Sequence, residues 1–228
     1  MMLKAWEALP DSMRFPEVRP YYEILRRRQL SLLVKRVFDF AAALLLLILL
    51  ALPMLAIAVW IKCDSPGPVF YRQERVTRYG KHFRIHKFRT MVDRADQLGS
   101  AVTVDNDSRI TRVGARLRRL RLDELPQVFD VLAGDMSFVG TRPEAVKYVR
   151  QYEPEYYATL LMPAGITSQT SIRYKDEAAL LDGAADVDQV YVDRVLPEKM
   201  KWNLESLRRF SLWDDLKTML QTVAAVLK

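Results

Sequence analysis

From Phe40 to Ile61 the chain carries no charge and no strongly polar side chain. A helix of about 22 apolar residues, rising about 1.5 Å per residue, matches the ~30 Å hydrocarbon core of a bilayer. Pro53 stands in its middle, where it removes one backbone donor and clashes with the preceding turn. Arg26, Arg27, Arg28, Lys35 and Arg36 precede the run; Lys62, Arg72, Arg75 and Arg78 follow it. Basic flanks favour the cytoplasmic face, and a spanning helix satisfies that on one side only. A re-entrant helix broken at Pro53 satisfies both. A kinked spanning helix is the alternative, because membrane helices tolerate proline.

The pattern elsewhere is weaker. Residues 1–16 hold two prolines and no periodicity, and are expected to be loosely ordered. Pro20 to Leu33 reads as an amphipathic helix, with Tyr21, Ile24, Leu25 and Leu32 at helical spacing among arginines. It suits the membrane surface or an ordinary solvated surface equally. Asp39 follows Arg36 by three positions, so the two are expected to pair. Asp64-Ser-Pro-Gly-Pro68 forces a stop. Val69–Tyr71 and His82–Phe88 then read as two short strands around a turn at Tyr79-Gly80-Lys81.

Asp93 to Leu98 suggests a short helix, and a dense basic helix covers Arg109 to Arg121. A further helix has Pro126 in its first turn and Gly134 as its C-cap. Pro143–Tyr152, Pro154–Leu161, Asp176–Leu181, Pro197–Arg209 and Ser211–Leu227 complete the helices. In the last, Leu212, Trp213, Leu216, Met219, Leu220 and Val223 share one face, which is expected to pack on the core rather than lie in an interface. The chain reads as α+β and predominantly helical, without repeats. It divides into an N-terminal extension (1–33), a membrane element (34–62) and one cytoplasmic domain (63–228).

Composition narrows the partners. The 228 residues carry a formal net charge of +7. Beside an apolar anchor, such an excess means anionic headgroups most simply, or a phosphorylated substrate or nucleic acid. Cys63 is the only cysteine, which excludes a disulfide scaffold and fits a reducing compartment. A signal peptide is not expected, since the apolar run begins some 40 residues in. No zinc-finger spacing or RNP motif accompanies the charge, so nucleic acid is not expected as a partner.

The candidate chemistry lies in two places. Arg109, Arg112, Arg116, Arg118, Arg119 and Arg121 form either a solvated face or a phosphate clamp, since guanidinium binds two oxygens at once. Asp123 and Glu124 fall at a helix entry, where the dipole favours anions. Capping is the ordinary role of such residues. At a helix entry the pair can also serve one site. His82 and His86 are expected to be solvated, without a third metal ligand nearby.

Several runs together resemble one family. They are Asp107-Ser-Arg-Ile-Thr-Arg-Val-Gly114, Leu122-Asp-Glu-Leu-Pro-Gln127 and Gly134-Asp-Met-Ser-Phe-Val-Gly-Thr-Arg-Pro-Glu144, with Lys35-Arg36, Lys87-Phe-Arg-Thr-Met91 and Ser211-Leu-Trp-Asp-Asp-Leu-Lys217. In this order they resemble the bacterial sugar transferases, the monotopic polyprenyl-phosphate phosphoglycosyl transferases, over about residues 31 to 225. The resemblance implies a re-entrant helix broken at Pro53 in the bacterial inner membrane, with the domain on the cytoplasmic face. It implies transfer of a sugar-1-phosphate from a UDP-sugar to undecaprenyl phosphate with release of UMP. Asp123 would be the nucleophile and Glu124 would hold Mg²⁺. Substrate binding would fall to Lys87, Arg89, Arg118 and Arg142, with Pro143 and Glu144.

Thr141 departs from the family pattern, which commonly has proline there. Met162-Pro-Ala-Gly-Ile-Thr-Ser-Gln-Thr170 departs too. These bear on sugar recognition rather than on the chemistry. Oligomeric state stays open, a homodimer being one option. The rival readings are a membrane-anchored glycosyl transferase releasing UDP and a non-enzymatic membrane-anchored polyanion-binding protein.

Overall fold

A computed structural model describes residues 2–95, 107–174 and 186–227. The expected helix at Asp176–Leu181, and the end of that at Asp93–Leu98, lie outside these residues. Two helices open the fold, α1 (Arg19–Arg26) and α2 (Gln29–Asp64). A hairpin follows, β1 (Phe70–Val76) antiparallel to β2 (His82–Phe88). Its turn puts Tyr79 in the left-handed region, at φ 60°. Then come α3 (Arg112–Arg119), α4 (Gln127–Ala133) and β3 (Met136–Val139). After α5 (Val146–Val149), β4 (Ala164–Thr167) pairs in parallel with β3. Helices α6 (Gln169–Arg173), α7 (Val187–Val190), α8 (Leu196–Arg208) and α9 (Leu212–Leu227) complete the order.

Helix α2 runs without interruption through Pro53. Leu32, Lys35, Asp39, Ala43, Met54, Ile57 and Ile61 are buried along it, and the partly buried Leu46 and Leu50 fill the gap. That stripe has the 3.6-residue period of one helix face. The other faces stay apolar and open, with Leu45, Ile48, Leu49, Leu52 and Leu55 all exposed. By length and composition α2 could cross a membrane, yet only 17% of its most apolar window is buried. Both ends are tied to the domain. Arg36 donates to the Val131 and Leu132 carbonyls at 2.6 and 3.1 Å, and Asp64 accepts from the Val113 amide at 3.0 Å.

Four expectations change. The first residues are packed, not loose: Leu9, Met13 and Val18 join Tyr21, Leu25 and Leu32 in a core with α8. Helix α1 is therefore held against the domain, and it ends at Arg26. The segment from Pro143 stays extended until Val146, and Pro154–Leu161 winds as a 3-10 helix. Arg36 caps the open carbonyls of α4, leaving Asp39 to others: Ser137 Oγ donates to it at 2.8 Å, and Lys35 Nζ lies 4.0 Å away. Helix α9 is turned over. Trp213, Leu216, Leu220 and Val223 are exposed, while Thr218 is buried and bonded by Gln169 at 2.9 Å.

Lys35, only 2% exposed, also bonds Asp215 of α9 at 2.7 Å, so one ammonium serves two carboxylates. Burial and the neighbouring Asp39 and Asp214 push the Asp215 carboxyl up; Lys35 opposes them. Removing that cation strands two buried anions. Lys35→Ala is expected to cost about 3–5 kcal/mol at neutral pH. The loss should shrink on acidification, because a raised carboxyl takes its proton early in the folded state. Urea unfolding of micelle-embedded protein at pH 7 and pH 5 checks both expectations. A pH-independent loss would contradict the second.

Candidate active site

The site is assembled from three separate segments around a helix entry. Thr111 accepts from the Gly114 amide at 3.0 Å and starts α3. A Cβ on Gly114 would fall 2.0 Å from the Thr90 carbonyl oxygen, so only glycine lets α3 sit this close to the end of the hairpin. That approach sets Arg118 Nε 2.9 Å from Thr90 Oγ1. Arg121 then takes a left-handed conformation, φ 55°, and reverses the chain into the turn Leu122–Glu124. Pro126 precedes α4, and Gly134 at φ 89° ends it. From the hairpin comes Lys87; from the irregular segment following β3 comes Arg142.

These segments converge on Asp123 and Glu124. Lys87 Nζ donates to Glu124 Oε1 at 2.8 Å. Arg142 grips both oxygens of the same carboxylate, Nη1 to Oε2 at 3.3 Å and Nη2 to Oε1. Burial pushes Glu124 up, but Arg142 and then Lys87 outweigh it and hold the group well below the usual carboxylate range. Asp123 is 8% exposed and accepts no hydrogen bond from any described residue. Burial, with the Glu124 charge, raises its carboxyl against the opposing pull of Lys87, Arg118 and Arg142. Two adjacent carboxylates thus differ in kind. One is pinned by cations, and the other is left free in their field.

Other expected site residues stand elsewhere. Arg89 is 5% exposed and spends its guanidinium on Ser65 O at 2.8 Å, Ser65 Oγ at 3.0 Å and the Pro66 carbonyl. It anchors the exit of α2, and substrate binding does not describe those contacts. Pro143 offers its carbonyl to Arg75 at 3.2 Å. Glu144 accepts from Tyr191 at 2.8 Å and pairs with Lys199 at 3.1 Å. Both residues therefore hold the backbone on which Arg142 rides. His82 is exposed beside Glu74, whereas His86 is half-buried, with Asp130 2.7 Å from its Nδ1 and accepting from its backbone amide at 2.9 Å.

Sequence reading missed Arg75, Tyr191 and Lys199. Lys199 does share the buried face of α8 with Leu196 and Asn203, at spacings of three and four, which is a legible signal. Gln127 was quoted only within a motif. It is 1% exposed, one turn beyond Asp123, and neither amide atom has a partner among the described residues.

Magnesium takes hard oxygen ligands and keeps several waters. Asp123 and Glu124 supply two such ligands side by side. Among the described residues no group of three or more His, Cys, Asp or Glu forms a full cage. The pair fits an ion that completes its shell from substrate phosphates and water, with Glu124 sharing or exchanging one of its cations.

The electrostatics separate the two carboxylates by stability. A raised pKa means that the fold disfavours the Asp123 charge at neutral pH, a cost that starts to fall as pH drops through the folded-state value and is gone below the unfolded one. Asp123→Asn is thus expected to unfold at the same or a higher denaturant concentration than wild type at pH 7. Glu124→Gln should lose about 3 kcal/mol, since Lys87 and Arg142 then face each other without their shared anion. Equilibrium unfolding of the two variants checks this, and equal losses would refute it.

Comparison with known proteins agrees with this architecture. The family model described as "Bacterial sugar transferase" matches residues 30–228. A UDP-N-acetylgalactosamine-undecaprenyl-phosphate N-acetylgalactosaminephosphotransferase of Aeromonas hydrophila is 38% identical over 197 residues, 85% of this chain and 44% of its own length. A UDP-glucose:undecaprenyl-phosphate glucose-1-phosphate transferase of Caulobacter vibrioides is 39% identical over 196 residues, 85% of this chain and 69% of its own. The transferase of the same name from Escherichia coli is 37% identical over 196 residues, 84% of this chain and 39% of its own. The chain therefore spans less than half the length of two of these relatives and about two thirds of the third. With the match running almost from end to end, it belongs to the bacterial sugar transferase family.

Proposed function

We propose that the protein transfers a sugar-1-phosphate from a UDP-sugar to undecaprenyl phosphate, opening the assembly of a bacterial glycan. The observation that carries this reading is the inequality of the two carboxylates. A diphosphate is already anionic, so an attacking carboxylate needs cations to approach it. Asp123 has Lys87, Arg118 and Arg142 around it and, among the described residues, no hydrogen-bond donor on its carboxylate. Its oxygen bonds to the phosphorus that bears the sugar. The bond from that phosphorus to the bridging oxygen breaks, and UMP leaves with both bonding electrons. The lipid phosphate oxygen then attacks the same phosphorus, and the Asp123 carboxylate is returned. No net oxidation occurs. Glu124 holds Mg²⁺, which neutralises charge on the diphosphate when bound. Lys87 and Arg142 keep Glu124 ionised and meet the phosphate oxygens, while Arg118 faces Asp123 from α3.

The lipid acceptor requires a site at headgroup depth. Helix α2 supplies the anchor, held in one leaflet of the inner membrane on its cytoplasmic face; it passes Pro53 as continuous helix, so the expected break is not seen there. Support comes from its ends, since Arg36 and Asp64 bond the same domain. A helix crossing the bilayer would carry one of those ends away. Support comes also from α9, whose exposed stripe of Trp213, Leu216, Leu220 and Val223 suits the interface.

The two-step reaction has a direct readout. Enzyme given UDP-sugar and Mg²⁺ without lipid should release UMP stoichiometrically and gain the mass of one phosphosugar, on a bond cleaved by hydroxylamine. Asp123→Asn should lose both signals while staying folded. Glu124→Gln should slow the step by roughly 10²-fold or more. Release of UDP, or an active Asp123→Asn enzyme, would defeat the assignment in favour of a glycosyl transferase.

Topology is tested separately. Single cysteines near Arg26 and near Lys81, in a chain with Cys63 replaced, should both be protected from an impermeant thiol reagent in intact cells. Reaction of one alone would mean that α2 spans. Pro53→Ala restores an unbroken apolar run of about 22 residues, so part of the population should become transmembrane and activity should fall with it. Unchanged labelling and activity would remove Pro53 from the account.

A further inference from the structure

A cavity of about 380 Å³ opens between α6, α8, α9 and the ends of β3 and β4. Its wall includes Thr141, Met162, Ser168 and Gln169. These come from the segment after β3 and from the stretch Met162 to Gln169, so residues far apart in the chain meet at one place. The cause is the short parallel pairing: the Gly140 amide donates to Thr167 O at 3.0 Å, and the Gly165 amide donates to Thr141 O at 2.8 Å. On the far wall Arg173 lies over the Trp202 ring, 3.7 Å from its centroid.

Building on the transfer reaction above, we propose that this cavity receives the sugar ring of the donor and sets which sugar is accepted. Position is the first argument. Thr141 lines the cavity, and the next residue is Arg142, whose guanidinium holds Glu124 beside Asp123. The sugar hangs from the attacked phosphorus by a single oxygen, whereas uridine lies beyond a second phosphate. None of Lys87, Arg118, Asp123, Glu124 or Arg142 lines the cavity itself, so the link runs through the Thr141–Arg142 segment, and the sugar is the end of the donor assigned to it. Size is the second. At about 380 Å³ the space is at the lower end for ligand pockets. That suits one ring rather than a whole nucleotide sugar.

Chemistry is the third argument. Gln169 donates to Thr218 Oγ1 at 2.9 Å and to Gln221 Oε1 at 2.6 Å, which fixes its amide and leaves its carbonyl oxygen to accept. With the Thr141 hydroxyl and the stacked Arg173, the wall presents oriented donors and acceptors suited to ring hydroxyls, while Ser168 is occupied as the N-cap of α6. A lipid chain would leave them unpaired. A site of this kind rejects an epimer because its polar groups then lose their partners.

The test uses three full-length variants with mild changes: Thr141→Ala, Arg173→Lys and Trp202→Phe. UMP release is measured with UDP-glucose, UDP-galactose, UDP-N-acetylglucosamine and UDP-N-acetylgalactosamine. At least two variants should change the ratio of kcat/KM between the best two sugars by about tenfold or more. Equilibrium binding of the same four donors to Asp123→Asn protein, with and without each cavity change, reads the preference without turnover. A preference in binding that moves with the cavity, in an enzyme that releases no UMP, would sustain the cavity assignment and defeat the reaction. UMP release with unmoved sugar ratios would do the reverse. Equal loss for all four donors would also overturn it, pointing to the shared nucleotide instead.

Discussion

The structure depends on keeping two neighbouring carboxylates ionisable in a largely buried place. Asp123 and Glu124 repel each other, and burial disfavours both charges. Cations must be brought to them, and they come from three distant parts of the chain: Lys87 ends the hairpin, Arg118 rides on α3, and Arg142 follows β3. Each carrier needs its own support. Gly114 lets α3 approach Thr90, and Arg75 with Glu144 and Lys199 fixes the backbone next to Arg142. Much of the polar interior can be read as scaffolding for that one electrostatic requirement. Burial lowers the Lys87 pKa while Glu124 raises it, so cation and anion each depend on the other to stay charged.

That dependence explains which features were legible in the sequence. The hairpin, the Gly134 cap and the helix after Pro126 follow from local chemistry, and they formed as expected. The roles of charged residues do not follow from local chemistry. Arg36 and Asp39 have a spacing that suits a pair, but the open carbonyls of α4 claim Arg36, and Lys35 and Ser137 claim Asp39. Arg89 sits in a motif two residues beyond Lys87, yet it lies past the end of β2 and its guanidinium bonds Ser65. Glu144 adjoins Arg142 and faces a different network altogether. Apart from Lys35, one helical turn before Asp39, the deciding partners lie dozens of residues away, beyond the reach of spacing rules.

The short parallel pair β3 and β4 was invisible for another reason. Each strand has only four residues, too few for alternation to register, and the two are joined across more than twenty residues of irregular and helical chain. Residues 1–16 were misread because their order comes from burial and not from periodicity. Three short 3-10 turns fold Leu9, Met13 and Val18 against α1 and α8 without any repeating pattern. Neither miss touches the carboxylates, but the first concealed the cavity beside Thr141.

Helix α9 was judged by the rule that an apolar stripe faces a protein core, and it does the opposite. Its inner face is held by polar groups: Asp215 to Lys35, Thr218 to Gln169 and Thr222 to Thr167 at 2.7 Å. In water such an arrangement wastes the apolar face, because Trp213, Leu216, Leu220 and Val223 stay exposed. A contiguous apolar surface of this kind calls for a cover. Lys35 joins α9 to α2, which has its own open apolar faces, so both helices present that need from one connected framework. If a bilayer is the cover, the rule that failed was the choice of solvent rather than the reading of periodicity. The polar seam between the two helices then acts as the domain's inner side, and the apolar stripes as its outer one. A domain built this way would be held at headgroup depth by two elements, the depth at which the proposed lipid acceptor carries its phosphate.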